Sequence, residues 1–217
     1  MTGDLFDTHH PLAGRATALG VQAHLLHGFA LSRIDALWPA LQAVLAQAPP
    51  RHMATPGGQR MSVALTNCGA LGWVSDGRGY RYTPHDPDSG QPWPPLPAAW
   101  LALAQAAAAA AGFGAFMPDA CLVNRYAPGA RMGLHQDRDE RDLSQPIVSV
   151  SLGVPAIFLW GGLRRADRAR RVPLLHGDVV VWGGEDRLRF HGIAPLRAAT
   201  HPLTGEARFN LTFRRAG

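Results

Sequence analysis

Cysteine is scarce: Cys68 and Cys121 are the only two in 217 residues. Two thiols build no disulfide framework, which argues against small disulfide-stapled secreted scaffolds and for a reducing compartment. Long apolar runs are missing as well. The blandest stretch, Ala98 to Ala111, is broken by Gln105 and too short to span a bilayer. Met1 to Asp7 carry two acids and no apolar core, so no secretory signal is read there. The expectation is a soluble, cytoplasmic chain with no membrane role. Lysine is absent too: all 21 basic side chains are arginine against 16 acids, a net +5. Guanidinium groups grip phosphate and carboxylate in bidentate fashion, so a polyanionic partner gains some weight, although excess positive charge alone is weak evidence.

No internal repeat or linker divides the chain, and 47% hydrophobic content suffices for one well-cored domain over residues 1–217. No obligate oligomer is indicated, and a monomer is expected. Residues 31–48 place Ile34, Leu37, Trp38, Leu41 and Leu45 at three- and four-residue steps, predicting an amphipathic helix that Pro39 kinks or begins. A second helix is predicted over about 97–111, stopping at Gly112, its alanine run reflecting helix propensity with little to pack. Between them, about 51–95 is rich in Gly, Pro and aromatics. A strand is expected at Met61–Thr66 and loops or short hairpins beyond it. From about 115 short runs follow one another (ACLVNRY, IVSVSLG, AIFLWGG, DVVVWGG, FNLTFR), predicting a sandwich or barrel with helices outside.

Candidate chemistry begins at His135-Gln136-Asp137. On a strand, residues two apart share a face, so an imidazole and a carboxylate would point to one place. His191 follows the run DVVVWGG and completes two histidines and a carboxylate, the ligand set of non-haem Fe(II) oxygenases. The pair alone is more often a solvated coincidence. In the last run, Arg208, Asn210, Thr212 and Arg214 share one face and Phe209, Leu211 and Phe213 the other. The polar face is either solvated, as on an edge strand, or a pocket for a dicarboxylate. Asn124 and Tyr126 likewise share a face that can bind a small anion or simply line a barrel.

The segments NRYAPGARMGLHQDRDE, SVSLG, AIFLWGG, HGDVVVWGGEDRLRFHG and RFNLTFR closely resemble the AlkB family of oxidative DNA-repair dioxygenases. TPGGQRMSVALTNCGALGW resembles that family's nucleotide-recognition lid, and the likeness runs from about residue 51 to the end. The resemblance implies a mainly β fold with flanking α: a double-stranded β-helix (jelly-roll) core, about 115–217. An N-terminal extension and helix (about 1–50) and a nucleotide-recognition lid (about 51–95) would complete it. It implies Fe(II) on His135, Asp137 and His191, with 2-oxoglutarate and O2 as co-substrates. Arg208 and Arg214 would surround the 2-oxoglutarate, Arg214 deeper on its far carboxylate, with Asn124, Tyr126 and Asn210 as hydrogen-bonding partners. The implied activity is demethylation of 1-methyladenine- and 3-methylcytosine-type bases in single-stranded or duplex DNA, with RNA a further candidate, releasing succinate, CO2 and formaldehyde.

By the same resemblance Trp73 stacks on the flipped-out base, and Asp139 and Glu140 complement its charge. Thr55, Met61, Tyr80, Tyr82 and Arg165 would meet the nucleotide and its phosphates, and Arg164, Arg165, Arg168, Arg170 and Arg171 form a basic loop beside them. Each has a plainer reading: core packing for Met61, strand alternation for Tyr80 and Tyr82, solvation for the acids and arginines. Gln59, Arg60 and Arg189 depart from the family pattern, which touches lesion preference and lid behaviour. Two rivals stay open: a 2-oxoglutarate dioxygenase acting on a protein or small molecule, and a non-catalytic jelly-roll binding module.

Overall fold

The short alternating runs assemble into two facing sheets in the computed structural model, which describes residues 10–217. The reading of Met1 to Asp7 lies outside the described residues. The larger sheet runs β1 (Ala16–Ala18), β2 (Ala23–Leu26), β11 (Val179–Trp182), β8 (Ile147–Gly153), β13 (Arg208–Arg214), β6 (Ala120–Tyr126), β3 (Ala64–Gly69). The smaller runs β10 (Arg170–Leu174), β9 (Ala156–Trp160), β12 (His191–Ile193), β7 (Met132–His135). Neighbours in both sheets pair antiparallel, with strands from distant parts of the chain side by side, as a jelly roll requires. A separate hairpin joins β4 (Gly72–Asp76) to β5 (Gly79–Thr83).

Two helices cover the outer face of the larger sheet: α1 (Ile34–Gln47), entered through a 3-10 turn, and α2 (Ala98–Ala110). Pro39 lies inside α1, where it leaves the Asp35 carbonyl without its usual helical donor. Leu37, Leu41 and Val44 pack with Trp100 and Leu103 against Val123, Val148, Val150, Leu211 and Phe213. Burying each of these aliphatic side chains contributes about 1.5–3 kcal/mol. The alanine run behaves differently from expectation. Ala104, Ala107 and Ala108 are fully buried in this layer, so their small size lets α2 lie close on the sheet.

A second core fills the space between the sheets, drawing on Leu65, Leu122, Tyr126, Phe158, Trp160, Trp182 and Ile193. The strand expected at Met61–Thr66 falls three residues later, because Met61 bonds back to Met53 and the Ser62 hydroxyl donates to the Arg131 carbonyl. β3 therefore belongs to the larger sheet, whereas β4 and β5 form the hairpin. Four-residue β7 and three-residue β12 carry too little pattern to be read from sequence. They meet because Gly192 has no Cβ: one would lie 2.6 Å from the Met132 carbonyl. That approach sets His191 opposite His135.

Candidate active site

His135 ends β7, and Asp137 lies in the irregular segment beyond it, so the two do not share one strand as expected. The chain turns at Gln136, whose side-chain amide donates to the Leu188 carbonyl, and thereby swings Asp137 back toward the imidazoles. His135 Nε2 stands 3.6 Å from Asp137 Oδ1 and His191 Nε2 3.6 Å from Asp137 Oδ2. One donor atom from each residue lies within 4.8 Å of the others. Adjacent donors around an octahedral metal sit ~3 Å apart for bonds near 2.1 Å, so small side-chain shifts complete the set. The ring Nδ1 atoms face backbone carbonyls, Gly133 for His135 and Arg189 for His191, which fixes the tautomer that leaves Nε2 free for a metal.

Charge at this point suits a cation. Burial and the neighbouring His191 ring lower the His135 pKa to about 4, keeping the imidazole neutral. Burial opposes ionisation of Asp137, but Arg214 and the two imidazoles hold its carboxyl well below the usual range. Another group of possible ligands, His10, His27 and Asp178, is committed locally. Asp178 accepts backbone N–H groups from Gly28 and Leu175, and the His27 ring bonds Thr17.

The polar face of β13 is buried in the middle of the larger sheet, not solvated at an edge. Arg208, Asn210, Thr212 and Arg214 line a cavity of about 720 Å³ that also contains the triad, Asn124 and Tyr126. Arg208 is 1% exposed, donates through Nη2 to the Ser151 hydroxyl, and leaves Nε and Nη1 with no partner among the described residues. It also lies over the Tyr126 ring, 5.0 Å from its centroid. Burial pushes the Tyr126 phenol up to about 12, so it remains a proton donor. The Asn124 amide donates to Asn210, whose own amide donates to Ser149 and the Val150 carbonyl. Buried N–H groups without acceptors are costly, and a guanidinium more so; an anion supplied from outside relieves that cost. Arg214 is the opposite case. It donates to Asp137 Oδ2 at 3.0 and 2.6 Å and lies 3.3 Å from Glu140. Arg214 thus sits against the candidate metal ligand Asp137, whereas no acid pairs with Arg208 among the described residues.

The residues expected to meet a nucleotide divide. Thr55, Gln59, Met61, Trp73, Tyr80, Asp139, Glu140 and Arg165 line the cavity. The Trp73 indole donates to Asp139 at 2.9 Å, and Tyr80 stacks on it with centroids 5.5 Å apart. Arg165 is exposed above the Phe190 ring. Tyr82 faces a neighbouring recess and donates to Glu140 at 2.7 Å. Arg60 is exposed, with its backbone paired to Ala54. Arg189 turns away onto Asp186 and the Gly161 carbonyl. In the basic loop, Arg164 pairs with Asp167, while Arg168 and Arg171 are exposed. Sequence reasoning passed over Ser149 and Ser151, although alternation in IVSVSLG puts them on one face. It also passed over Trp182, whose ring lies 4.9 Å from His191, and Arg187, which no local pattern marks.

The model of the 2OG-Fe(II) oxygenase superfamily matches residues 22–214. The alpha-ketoglutarate-dependent dioxygenase AlkB of Salmonella typhimurium is 58% identical, over 89% of this chain and 90% of its own length. The Escherichia coli protein of the same description is 57% identical over 92% of each. A solved structure described as OsALKBH1 aligns with a TM-score of 0.77 at 30% identity, over 93% of this chain and all of its own. The two imidazoles, the carboxylate and the unpaired guanidinium fit iron and 2-oxoglutarate. The chain belongs to the AlkB dioxygenases of the 2OG-Fe(II) oxygenase superfamily, enzymes that use Fe(II), 2-oxoglutarate and O2.

Proposed function

We propose that this chain demethylates alkylated nucleobases of the 1-methyladenine and 3-methylcytosine type in DNA, with RNA as a further substrate. The observation that carries the reading is a shared cavity. The triad, the unpaired donors of Arg208 and the indole of Trp73 line one space of about 720 Å³, ample for a small dicarboxylate beside an inserted base.

Bound iron supplies the redox chemistry, in which 2-oxoglutarate and O2 give succinate and CO2 while one oxygen atom enters the methyl group. The protein's residues arrange this. His135, Asp137 and His191 would hold the metal. Arg208 and the Tyr126 hydroxyl take the far carboxylate of 2-oxoglutarate, with Asn124 and Asn210 shaping the floor. Arg214 keeps Asp137 ionised and oriented. A base stacked in a duplex cannot reach this depth, so it enters flipped out or from a single strand. Trp73 then offers a π face to a cationic methylated base, and Asp139 both fixes the indole and complements the charge. A hydroxylated N-methyl group loses formaldehyde and restores the base. Arg165, Tyr80 and Thr55 stand where they can meet the backbone and flanking nucleotide.

The test is an oligonucleotide carrying one 1-methyladenine, incubated with anaerobically iron-loaded protein, 2-oxoglutarate and then air. Mass spectrometry should record loss of one methyl group, dependent on 2-oxoglutarate. An intact methylated strand alongside steady 2-oxoglutarate turnover would move the substrate to another class of molecule.

A further inference from the structure

Glu140 and Arg187 form an ion pair of 3.0 Å in which both side chains are almost wholly buried, at 2% and 3% exposure. Replacing such a pair with apolar residues is often neutral or stabilising, so burial of the charges is poorly explained by stability. Its contacts point elsewhere. Arg187 lies on the segment that leads into His191, yet its Nη1 donates to the backbone carbonyl of Asp137 at 2.6 Å. Its Nε donates to the Gln145 carbonyl at 3.0 Å. One guanidinium thus ties together the two segments that supply metal ligands. Glu140 receives Arg187 on Oε2 and the Tyr82 hydroxyl on Oε1, and Oε1 is 3.3 Å from Arg214, which clasps the Asp137 carboxylate. Asp137 is therefore held at its backbone by one arm of this network and at its carboxylate by another. Tyr82, on β5, joins the hairpin that carries Trp73 to the same network.

We propose that Glu140 and Arg187 are positioning residues that hold Asp137 in its ligating geometry and, through Tyr82, tie that geometry to the β4–β5 hairpin. The proposal rests on His135, Asp137 and His191 being the metal site. It assigns Glu140 a different task from meeting the base, since both carboxylate oxygens are already engaged.

The experiment is calorimetric titration of metal-free protein with Mn2+, without 2-oxoglutarate or nucleic acid, alongside the KM for a methylated oligonucleotide. Glu140→Gln and Arg187→Lys should each weaken Mn2+ binding about 10-fold or more, as outer contacts to metal ligands commonly do. Tyr82→Phe should weaken it about 3-fold alone and have no further effect in the Glu140→Gln background, because the two act through one contact. Variants that bind Mn2+ within twofold of the parent, with losses confined to oligonucleotide KM, would overturn the proposal and return Glu140 to substrate contact. If Glu140→Gln does not fold, Tyr82→Phe decides, and unchanged Mn2+ affinity there overturns the coupling. A parent protein that binds no Mn2+ would overturn the metal site itself, and the positioning pair with it.

Discussion

Removal of Arg208 and removal of Arg214 should affect the metal-free protein in opposite ways, because one guanidinium is buried with no acid beside it among the described residues and the other is paired twice. Arg208→Met should leave stability unchanged or higher, while lowering 2-oxoglutarate affinity ~100-fold, the loss of about 3 kcal/mol of charge-assisted bonding. Arg214→Met removes both guanidinium bonds to the buried Asp137 carboxylate and should cost ~3–5 kcal/mol in stability. Denaturant melts and co-substrate titrations on the two variants check both statements; equal destabilisation would mean that Arg208 has a partner in solution. The polar face of β13 was legible, since alternation alone separates Arg208 and Arg214 from Phe209, Leu211 and Phe213. Which arginine meets which group was not. That depends on Asp137, 77 residues away along the chain, and on a turn at Gln136 that carries no sequence signature.

At the scale of elements, α2 offers a direct check of packing. Ala107→Leu pushes extra atoms into a full layer and should cost ~1–3 kcal/mol. Ala109→Leu, at an exposed position of the same helix, should be close to neutral. Melting temperatures compare the pair; similar values for both would contradict the close approach of α2 to the sheet. The helix itself was readable from sequence, but propensity says nothing of which alanines face a sheet. In the hairpin, Trp73→Ala should weaken binding of a methylated single strand by ~1–3 kcal/mol, the usual worth of one stacked base, and leave 2-oxoglutarate affinity intact. Fluorescence anisotropy with a labelled strand measures it. The aromatics of β4 and β5 stood out in the sequence, although their stacking of Trp73 on Tyr80 did not. β7 and β12, which carry the histidines, are too short to show a period, so their pairing had to come from the structure.

Across the whole molecule, titration sets a pH window. Burial, and for His176 the neighbouring His201 ring with its centroid 4.4 Å away, lower both histidine pKa values, that of His176 to about 4 from 6.5. The folded state thus binds fewer protons than the unfolded chain between pH 6.5 and about 4. Stability should be level above that window and fall as pH drops through it. His176→Asn should flatten part of the fall in a series of melts; an unchanged slope would show that this pair does not contribute. A sandwich or barrel was foreseeable from spaced short runs, and the jelly roll followed only from the family resemblance. The cavity was not, because it arises only where residues from both sheets converge. The measurement closest to the central claim is the stoichiometry of a single turnover on a 1-methyladenine oligonucleotide. The account predicts one succinate and one formaldehyde per methyl group lost, and neither product with Asp137→Ala. Formaldehyde released at the parent rate by Asp137→Ala would contradict it.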